Sequence, residues 1–209
     1  MASTIRTRLK TSFYKVSMKK IMFNDKCGLT DAVLCDNKNM TRRIVPDKLL
    51  TDAQVYSGGD IEKRNQYLLE HTPYKVGEVV AIAQNYKAAG YEPGRNIPLK
   101  EHGGLQIRAD SLAGWTNKMF VRADLMPHHI LITDIKVELL QDISDEDCLK
   151  EGIMKIDCVA PYSYKDANGL FRCYAKPQYA FAALIDKVSG KGTWDRNPYT
   201  IAYEFVLIR

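Results

Sequence analysis

The sequence predicts an α+β fold, in which a small mixed or antiparallel β-barrel carries short helices at its ends and long inserted loops. Three observations support this prediction. Residues 76–83, 130–140 and 199–208 are rich in β-branched and other apolar side chains, which is typical of strands. Residues 29–33 and 179–188 instead repeat apolar side chains at helical spacing. A length of 209 residues, with 45% hydrophobic residues, suits one domain with insertions.

The N-terminal region is basic and then becomes apolar. Residues 1–18 contain four cationic side chains and few apolar ones, which indicates a flexible basic arm or an additional capping segment. Residues 20–23 form a short apolar run that predicts the first strand. A short helix follows, with Leu29, Ala32 and Val33 on one face and Thr30 as its expected N-cap.

The segment from Lys38 to Arg43 is dense in hydrogen-bond donors. Asp36 and Asn37 end the helix before it, because short polar side chains bond to nearby backbone groups. At a helix-to-strand junction, Lys38 and Thr41 can both lean into one cleft. Spacing alone also allows a solvated turn with a basic run. A strand continues to residues 44–45, and Pro46 ends its pairing.

Two insertions are predicted in the first half of the chain. The first, at about 47–73, contains a helix that Asp60 caps, with Ile61, Leu68 and Leu69 as its buried anchors. The second, at about 84–117, is rich in glycine and proline and therefore predicts a functional or mobile loop. Its aromatic residues Tyr86, Tyr91 and Trp115 are candidates for ligand stacking, although loop anchoring is the commoner role of tryptophan.

The second half returns to regular structure. Strands are predicted at 119–122 and at 130–140, the latter bent near Asp134, and Ser144 is expected to cap a short helix with Asp147 three residues later. A third insertion, at about 154–177, is expected to hold a hairpin of residues 159–164 and 170–174. Helix 179–188 stops at Gly190, residues 194–198 form a turn, and residues 199–208 close the domain. We therefore expect a basic arm at 1–18 and one domain at 19–209.

Composition narrows the class of protein. No apolar run approaches the roughly 18 residues of a membrane span, and no apolar region follows the first arginines as it does in a secretory signal. The five cysteines are odd in number and lack Cys-x-x-Cys spacing, which predicts free thiols in a reducing, cytoplasmic compartment. The pair His128 and His129 is expected to be structural, and no metal or cofactor is expected. A net charge of +5 permits a polyanionic partner without requiring one, and the oligomeric state stays open.

Several segments together resemble a known family. A helix, a polar turn and Lys-x-x-Thr-x-Arg at 38–43 resemble the opening motif of ASCH domains, which are relatives of the PUA fold. The usual form is Gly-Arg-Lys-Thr-x-Thr-x-Arg, so Lys38, Thr41 and Arg43 match while the surrounding turn departs. Residues 74–82 resemble the family's second strand, and residues 137–152 its strand, turn and helix ending in Glu-Gly. The C-terminal segment 180–205 resembles phage and prophage ASCH-like proteins.

The resemblance implies a PUA-like barrel that binds RNA or a nucleotide. One family member is an acetylcytidine amidohydrolase whose Lys, Thr and Glu match Lys38, Thr41 and Glu151. That match implies a lysine base, a threonine nucleophile and a carboxylate that moves a proton to the leaving amine. Some relatives have been assigned ribonuclease activity, which is a further alternative. A non-catalytic phage accessory or interaction protein is the remaining one.

Ligand contacts are expected from Arg42, Arg43, Tyr86 and Trp115. Each candidate also has a structural alternative: Glu151 can end a helix in solvent, Thr41 can pack within a strand, and Arg43 can bridge to an acid at the edge of the core. In a PUA-like barrel, Lys38, Thr41 and Glu151 are expected to converge on one concave site. Stability is expected to depend little on them, since exposed ion pairs contribute only about 0–1 kcal/mol.

Overall fold

The computed structural model describes residues 18–91 and 113–208. Nearly all of the predicted basic arm at 1–18, and the middle of the predicted 84–117 insertion, lie outside the described residues.

The described chain contains six α-helices and eight strands. The helices are α1 (Leu29–Leu34), α2 (Asp47–Ser57), α3 (Ile61–His71), α4 (Asp145–Lys150), α5 (Pro177–Ser189) and α6 (Thr193–Arg196). The strands are β1 (Lys20–Ile21), β2 (Met40–Ile44), β3 (Val79–Ile82), β4 (His129–Leu139), β5 (Met154–Lys155), β6 (Tyr162–Lys165), β7 (Phe171–Tyr174) and β8 (Tyr199–Ile208).

The strands form two sheets. The larger is mixed, in the order β1-β3-β4-β8-β2, with only β1 and β3 parallel. The smaller is the antiparallel sheet β5-β6-β7. This confirms the α+β class. The described strands do not close into a barrel, so the predicted barrel is not found in this part of the chain.

The long antiparallel pair of β4 and β8 forms the centre of the large sheet. Its register shifts between Ile132 and Asp134, which is the signature of a β-bulge and confirms the predicted bend near Asp134. The alternation of side chains continues beyond the bulge, so that Lys136 and Glu138 share one face while Ile135 and Val137 share the other.

The helix α1 begins differently from the prediction. Its N-cap is Gly28, whose φ of +65° also ends the preceding 3₁₀ turn Asp25–Cys27. Left-handed backbone of this kind favours glycine, and it starts the helix before Thr30. Thr30 is therefore not the cap; it is buried, and its hydroxyl donates to the carboxylate of Asp25.

The first insertion contains two helices where one was predicted. The Asp60 side chain accepts from the backbone N–H groups of Glu62 and Lys63, at 2.9 and 3.2 Å, which confirms it as the N-cap of α3. Leu68 is fully buried as expected, but Ile61 is 62% exposed and is not an anchor. The helix α2 was missed because its pattern is weakly apolar, with only Ala53 and Ser57 buried.

The later elements largely follow the sequence pattern. The hairpin β6–β7, the helix α5 with its stop at Gly190, and the closing strand β8 are confirmed. The predicted strand at 119–122 is wrong: 3₁₀ turns Lys118–Phe120 and Ala123–Leu125 occupy this segment. The predicted turn at 194–198 includes most of α6.

Two hydrophobic clusters result from this arrangement. The main core lies between the large sheet and the helices, with α5 contributing Phe181, Leu184 and Ile185. The helix α4 contacts both α5 and β2. A smaller cluster surrounds Tyr86 and Met126. The strand β2 ends the large sheet, so one of its edges has no neighbouring strand among the described residues.

Candidate functional site

A cavity of about 270 Å³ lies along the free edge of β2, and we call it the β2-edge cavity. One wall is mostly apolar and comes from α1, α5 and the segment before α1. The opposite side is polar and comes from β2 and the end of α4. The residues of the apolar wall used below are Phe23, Leu29, Phe181, Leu184 and Ile185, and the polar ones are Lys38, Thr41, Arg42, Arg43 and Glu151. Lys38, Thr41 and Glu151 all line this cavity.

Local backbone bonds place Lys38 at the junction of α1 and β2. The backbone N–H groups of Asn37 and Lys38 both donate to the carbonyl of Ala32, at 2.8 and 3.1 Å, and so end the helix. Asp36 has a φ of +59°, a left-handed conformation that aspartate tolerates better than most residues. The N–H of Asn39 donates to the carbonyl of Lys150 at 3.0 Å, which ties this junction to the end of α4.

Lys38 and Glu151 form a buried ion pair. The Lys38 ammonium lies 2.6 Å from Glu151 Oε2 and also donates to the backbone carbonyl of Glu151 at 2.7 Å. Only 2% and 6% of the two side chains are exposed, so the solvated-turn and solvent-facing alternatives for these residues are wrong. Burial lowers the pKa of Lys38 from its ordinary value, although the Glu151 carboxylate opposes that shift.

The glycine after Glu151 has a specific backbone role. Gly152 has a φ of +99°, a conformation that other residues rarely adopt, and a Cβ there would contact the Lys38 side chain at 3.5 Å. The turn that follows α4 therefore favours glycine at this position.

Arg42 is the centre of a larger charge network. Its guanidinium donates to Glu151 Oε1 at 3.0 Å, to Glu138 Oε1 at 2.8 Å through Nε, and to Asp147 Oδ2 at 2.9 Å. Its side chain is 1% exposed. Burial opposes its charge, but the Glu151 and Glu138 carboxylates outweigh burial and raise the pKa of Arg42.

Lys136 completes this network at the protein surface. Its ammonium lies 2.5 Å from Asp147 and 3.1 Å from Glu138, and its side chain is 40% exposed. We define the charge network as Lys38, Arg42, Lys136, Glu138, Asp147 and Glu151. Three cations face three carboxylates, so the network is electrically compensated.

The sequence analysis missed Lys136, Glu138 and Asp147. A signal was present, because Lys136 and Glu138 alternate within the long predicted strand 130–140 and so must share a face that carries charge. Asp147 was noticed only as a capping residue, where its backbone N–H indeed donates to the Ser144 hydroxyl at 3.1 Å.

Thr41 and Arg43 belong to the other face of β2. The register pairs them with Tyr203 and Ile201, whereas Arg42 pairs with Ala202. Across residues 18–91 and 113–208, the Thr41 hydroxyl has no hydrogen-bond partner and Arg43 has no carboxylate partner. Arg43 Nη2 donates to the carbonyl of Met22 at 2.5 Å. The predicted bridge from Arg43 to an acid is therefore not found there, and Arg42 binds the acids instead.

The free edge of β2 also offers backbone groups. Val45 donates to Tyr199 and Phe205 donates to Asn39, which makes the odd-numbered residues of β2 the hydrogen-bonded partners of β8. The N–H and C=O of Arg42 therefore point toward the free edge, where the cavity lies. The Arg42 side chain thus points into the charge network, whereas its backbone N–H and C=O point toward the β2-edge cavity.

The structure places Tyr86 and Trp115 away from the β2-edge cavity. Tyr86 is buried, and its hydroxyl accepts from the backbone N–H of Arg122 at 2.9 Å. Trp115 packs against the same small hydrophobic cluster. Neither side chain lines the cavity.

Two other functional features, a metal site and a membrane-spanning helix, are not found among the described residues. Within the described ranges, no three His, Cys, Asp or Glu side chains are grouped as a metal site. No described helix has the length and hydrophobicity to span a bilayer. No protein-family model and no curated protein matches the chain, and no solved structure matches its fold.

Proposed function

We propose that the protein binds a nucleoside or nucleotide, either free or as one residue of single-stranded RNA, in the β2-edge cavity. The observation that carries this proposal is the pairing of an apolar wall with a polar side on which the Thr41 hydroxyl and the backbone N–H and C=O of Arg42 have no partner in the described part of the chain. An aromatic base needs an apolar wall against its ring faces and hydrogen-bonding groups along its edge.

The dimensions suit a small planar ligand. A volume of about 270 Å³ is just below the ~300–1,000 Å³ of pockets for drug-sized ligands. Such a cavity holds one base with part of its sugar, and not a duplex. Phe23 and Phe181 line the apolar wall, but both are core residues that are only 4% and 2% exposed, so the wall offers a base apolar contact rather than an open ring face.

The edge of β2 supplies hydrogen bonds to such a base. One N–H and one C=O from the same residue, Arg42, form an adjacent donor and acceptor. The Watson–Crick edge of a pyrimidine or of adenine presents a complementary pair. Unpaired backbone groups at a strand edge favour such a partner, because each buried group left unbonded costs free energy.

The same features support a PUA-like, ASCH-type domain of phage or prophage origin as the family. The motifs occur in the family's order along the chain, and the Lys38 and Glu151 junctions face one cavity. The mixed sheet is compatible with an open or partial barrel.

The binding proposal is tested with a variant that blocks the cavity. Ser189 is an exposed residue at the rim of the cavity, and Ser189→Trp fills the entrance. Gln54→Trp, on the exposed face of α2, is the matched control. We expect nucleosides, nucleotides or short single-stranded RNA to bind the wild type and the control, but not Ser189→Trp, in calorimetry and fluorescence anisotropy.

Binding of RNA should weaken as salt rises, because phosphate contacts release counterions. If no nucleoside, nucleotide or RNA of several sequences binds the wild type at low salt, the proposed function is wrong. The accessory-protein alternative then gains support.

Hydrolysis of an amide on that ligand is the second candidate. The observation that favours it is a Thr41 hydroxyl that has no partner among residues 18–91 and 113–208 and lines the same cavity as Lys38, whose pKa is lowered by burial. Transfer of a proton from the buried Lys38 ammonium to Glu151, 2.6 Å away, leaves a neutral amine that can take the hydroxyl proton as Thr41 Oγ1 bonds to the amide carbon. The C–N bond then breaks as the protonated Glu151 donates its proton to the leaving amine, and water cleaves the resulting ester to restore the Thr41 hydroxyl.

Thr41→Val separates catalysis from folding. Valine replaces a hydroxyl that has no described partner, so stability should change by less than about 0.5 kcal/mol. Thr41→Ser keeps the nucleophile and is the control. Turnover of acetylcytidine or of labelled RNA should disappear in Thr41→Val and persist in Thr41→Ser. If the wild type and Thr41→Val are equally inert on both substrates, the catalytic candidate is abandoned.

A further inference from the structure

We propose that the ligand of the β2-edge cavity carries a phosphate group and that Arg43 binds this phosphate at the cavity mouth. This inference rests on the proposed function and names the class of ligand within it. It selects nucleotides and RNA phosphodiesters over uncharged nucleosides.

The charges that line the cavity are unevenly compensated. Lys38 is paired with Glu151, and Arg42 is bound to three carboxylates. Arg43 also lines the cavity, and no carboxylate among the described residues lies within ion-pair distance of it. The cavity therefore has one positive charge that the described part of the protein does not neutralise, and an anionic ligand is its natural partner.

A single hydrogen bond fixes the position of Arg43 and leaves its other N–H donors without a partner among the described residues. The bond from Nη2 to the Met22 carbonyl anchors the guanidinium next to the segment that forms the adjacent cavity wall. A guanidinium has five N–H donors in a planar fork that matches two phosphate oxygens. Arg43 is partly buried and so can meet solvent at the cavity mouth, whereas Arg42 and Lys38 are buried.

The strand sets the distance between the phosphate and the interior of the cavity. Thr41 and Arg43 are two residues apart on the same face of β2, which corresponds to about 7 Å along the strand. A nucleoside with its base beside Thr41 then places its 5′ oxygen toward Arg43. The phosphate belongs on the β2 side, because the last turn of α5, at Val188 and Ser189, carries the partial negative charge of a helix C-terminus.

The same contact fits two sources of phosphate. A free mononucleotide offers a phosphomonoester, and single-stranded RNA offers a phosphodiester. Ligands of both kinds distinguish them: the four nucleosides, their 5′-monophosphates, and tetranucleotides without terminal phosphates.

Calorimetric titrations of the wild type, Arg43→Gln and Arg122→Gln test the proposal. Arg122 is an exposed arginine outside the cavity, so its variant makes the same change in net charge. We expect the preferred nucleoside to gain about tenfold or more in affinity when it carries a phosphate, from a charge-assisted hydrogen-bond pair. Arg43→Gln should abolish this gain while changing nucleoside affinity less than about threefold, and Arg122→Gln should preserve it.

Arg43→Lys keeps the positive charge but lacks the planar guanidinium donors, so it should retain part of the affinity gained from the phosphate. This variant also allows the proposal to be tested if Arg43→Gln folds poorly. Equal affinity of the wild type for a nucleoside and its monophosphate overturns the inference and leaves the proposed function standing. An equal loss for both ligands in Arg43→Gln also overturns it. Absence of binding by every ligand overturns the proposed function itself.

Discussion

Ligand contacts were predicted both at the β2-edge cavity and at the cluster around Tyr86, but the two regions differ in whether their polar side chains already have hydrogen-bond partners. In the Tyr86 cluster the two tyrosine hydroxyls are already bonded: the Tyr86 hydroxyl accepts from the backbone N–H of Arg122, and the Tyr91 hydroxyl donates to the carbonyl of Leu125. In the cavity, the Thr41 hydroxyl and most donors of Arg43 are uncommitted among the described residues. The comparison teaches that the Tyr86 hydroxyl is already engaged within the fold, whereas the Thr41 hydroxyl has no partner among the described residues. This difference favours the cavity over the Tyr86 cluster as the proposed ligand site.

Arg42→Met should produce the largest effect on stability. It removes the one cation shared by three carboxylates and leaves Glu138, Asp147 and Glu151 close together and underpaired. We expect a loss of about 3–5 kcal/mol in the free energy of unfolding, measured by urea denaturation. Arg122→Met, at an exposed ion pair, should cost less than about 1 kcal/mol. A similar cost for the two variants would contradict the structural role of the network.

Lys38→Met should be the next most destabilising change, by about 2–3 kcal/mol. Glu151 loses its 2.6 Å partner but keeps Arg42, so the cost is smaller than for Arg42. This reverses the expectation from the sequence that the pair is exposed and contributes little. An unchanged urea midpoint would restore that expectation. Ligand binding by this variant must therefore be measured at a temperature where it is folded.

Asp147 makes the stability depend on pH. Burial would raise the pKa of its carboxyl, but Lys136 and Arg42 outweigh burial and lower it. A depressed folded-state pKa stabilises the protein above the unfolded value of about 3.9 and loses that contribution as pH falls through the folded value. The stability advantage of the wild type over Asp147→Asn should thus be full at pH 6 and shrink below about pH 4. A constant difference across that range would rule out the ionic contribution.

Tyr86→Phe should have the smallest effect of the four. It leaves the partly buried N–H of Arg122 without its acceptor, at a cost of about 1 kcal/mol, and should leave nucleoside affinity unchanged. Thermal unfolding and calorimetry measure the two quantities. If ligand affinity falls while stability stays the same, part of the ligand site lies at the Tyr86 cluster, and the contrast between the two regions disappears.

The sequence predicted those features that depend on local pattern. The bulge near Asp134, the cap at Asp60, the hairpin and the junction that holds Lys38 all follow from neighbouring residues. The three-way partnership of Arg42 could not be predicted, because Glu138, Asp147 and Glu151 reach it from segments about a hundred residues away. Strand alternation shows that the adjacent residues Arg42 and Arg43 face opposite sides, but it could not show which side would meet the carboxylates, because the partners of the strand were unknown.

The free edge of β2 also bears on self-association. An unpaired strand edge is a template on which the strand of another molecule can add, and such addition leads to aggregation. Here the edge lies at the base of a groove whose sides are formed by α5 and by the segment 22–24. These flanks leave room for a small flat molecule and narrow the approach of an extended chain. A bound ligand that uses the backbone of Arg42 would cover the same edge, so occupancy of the cavity should also make the folded protein less prone to assemble with itself.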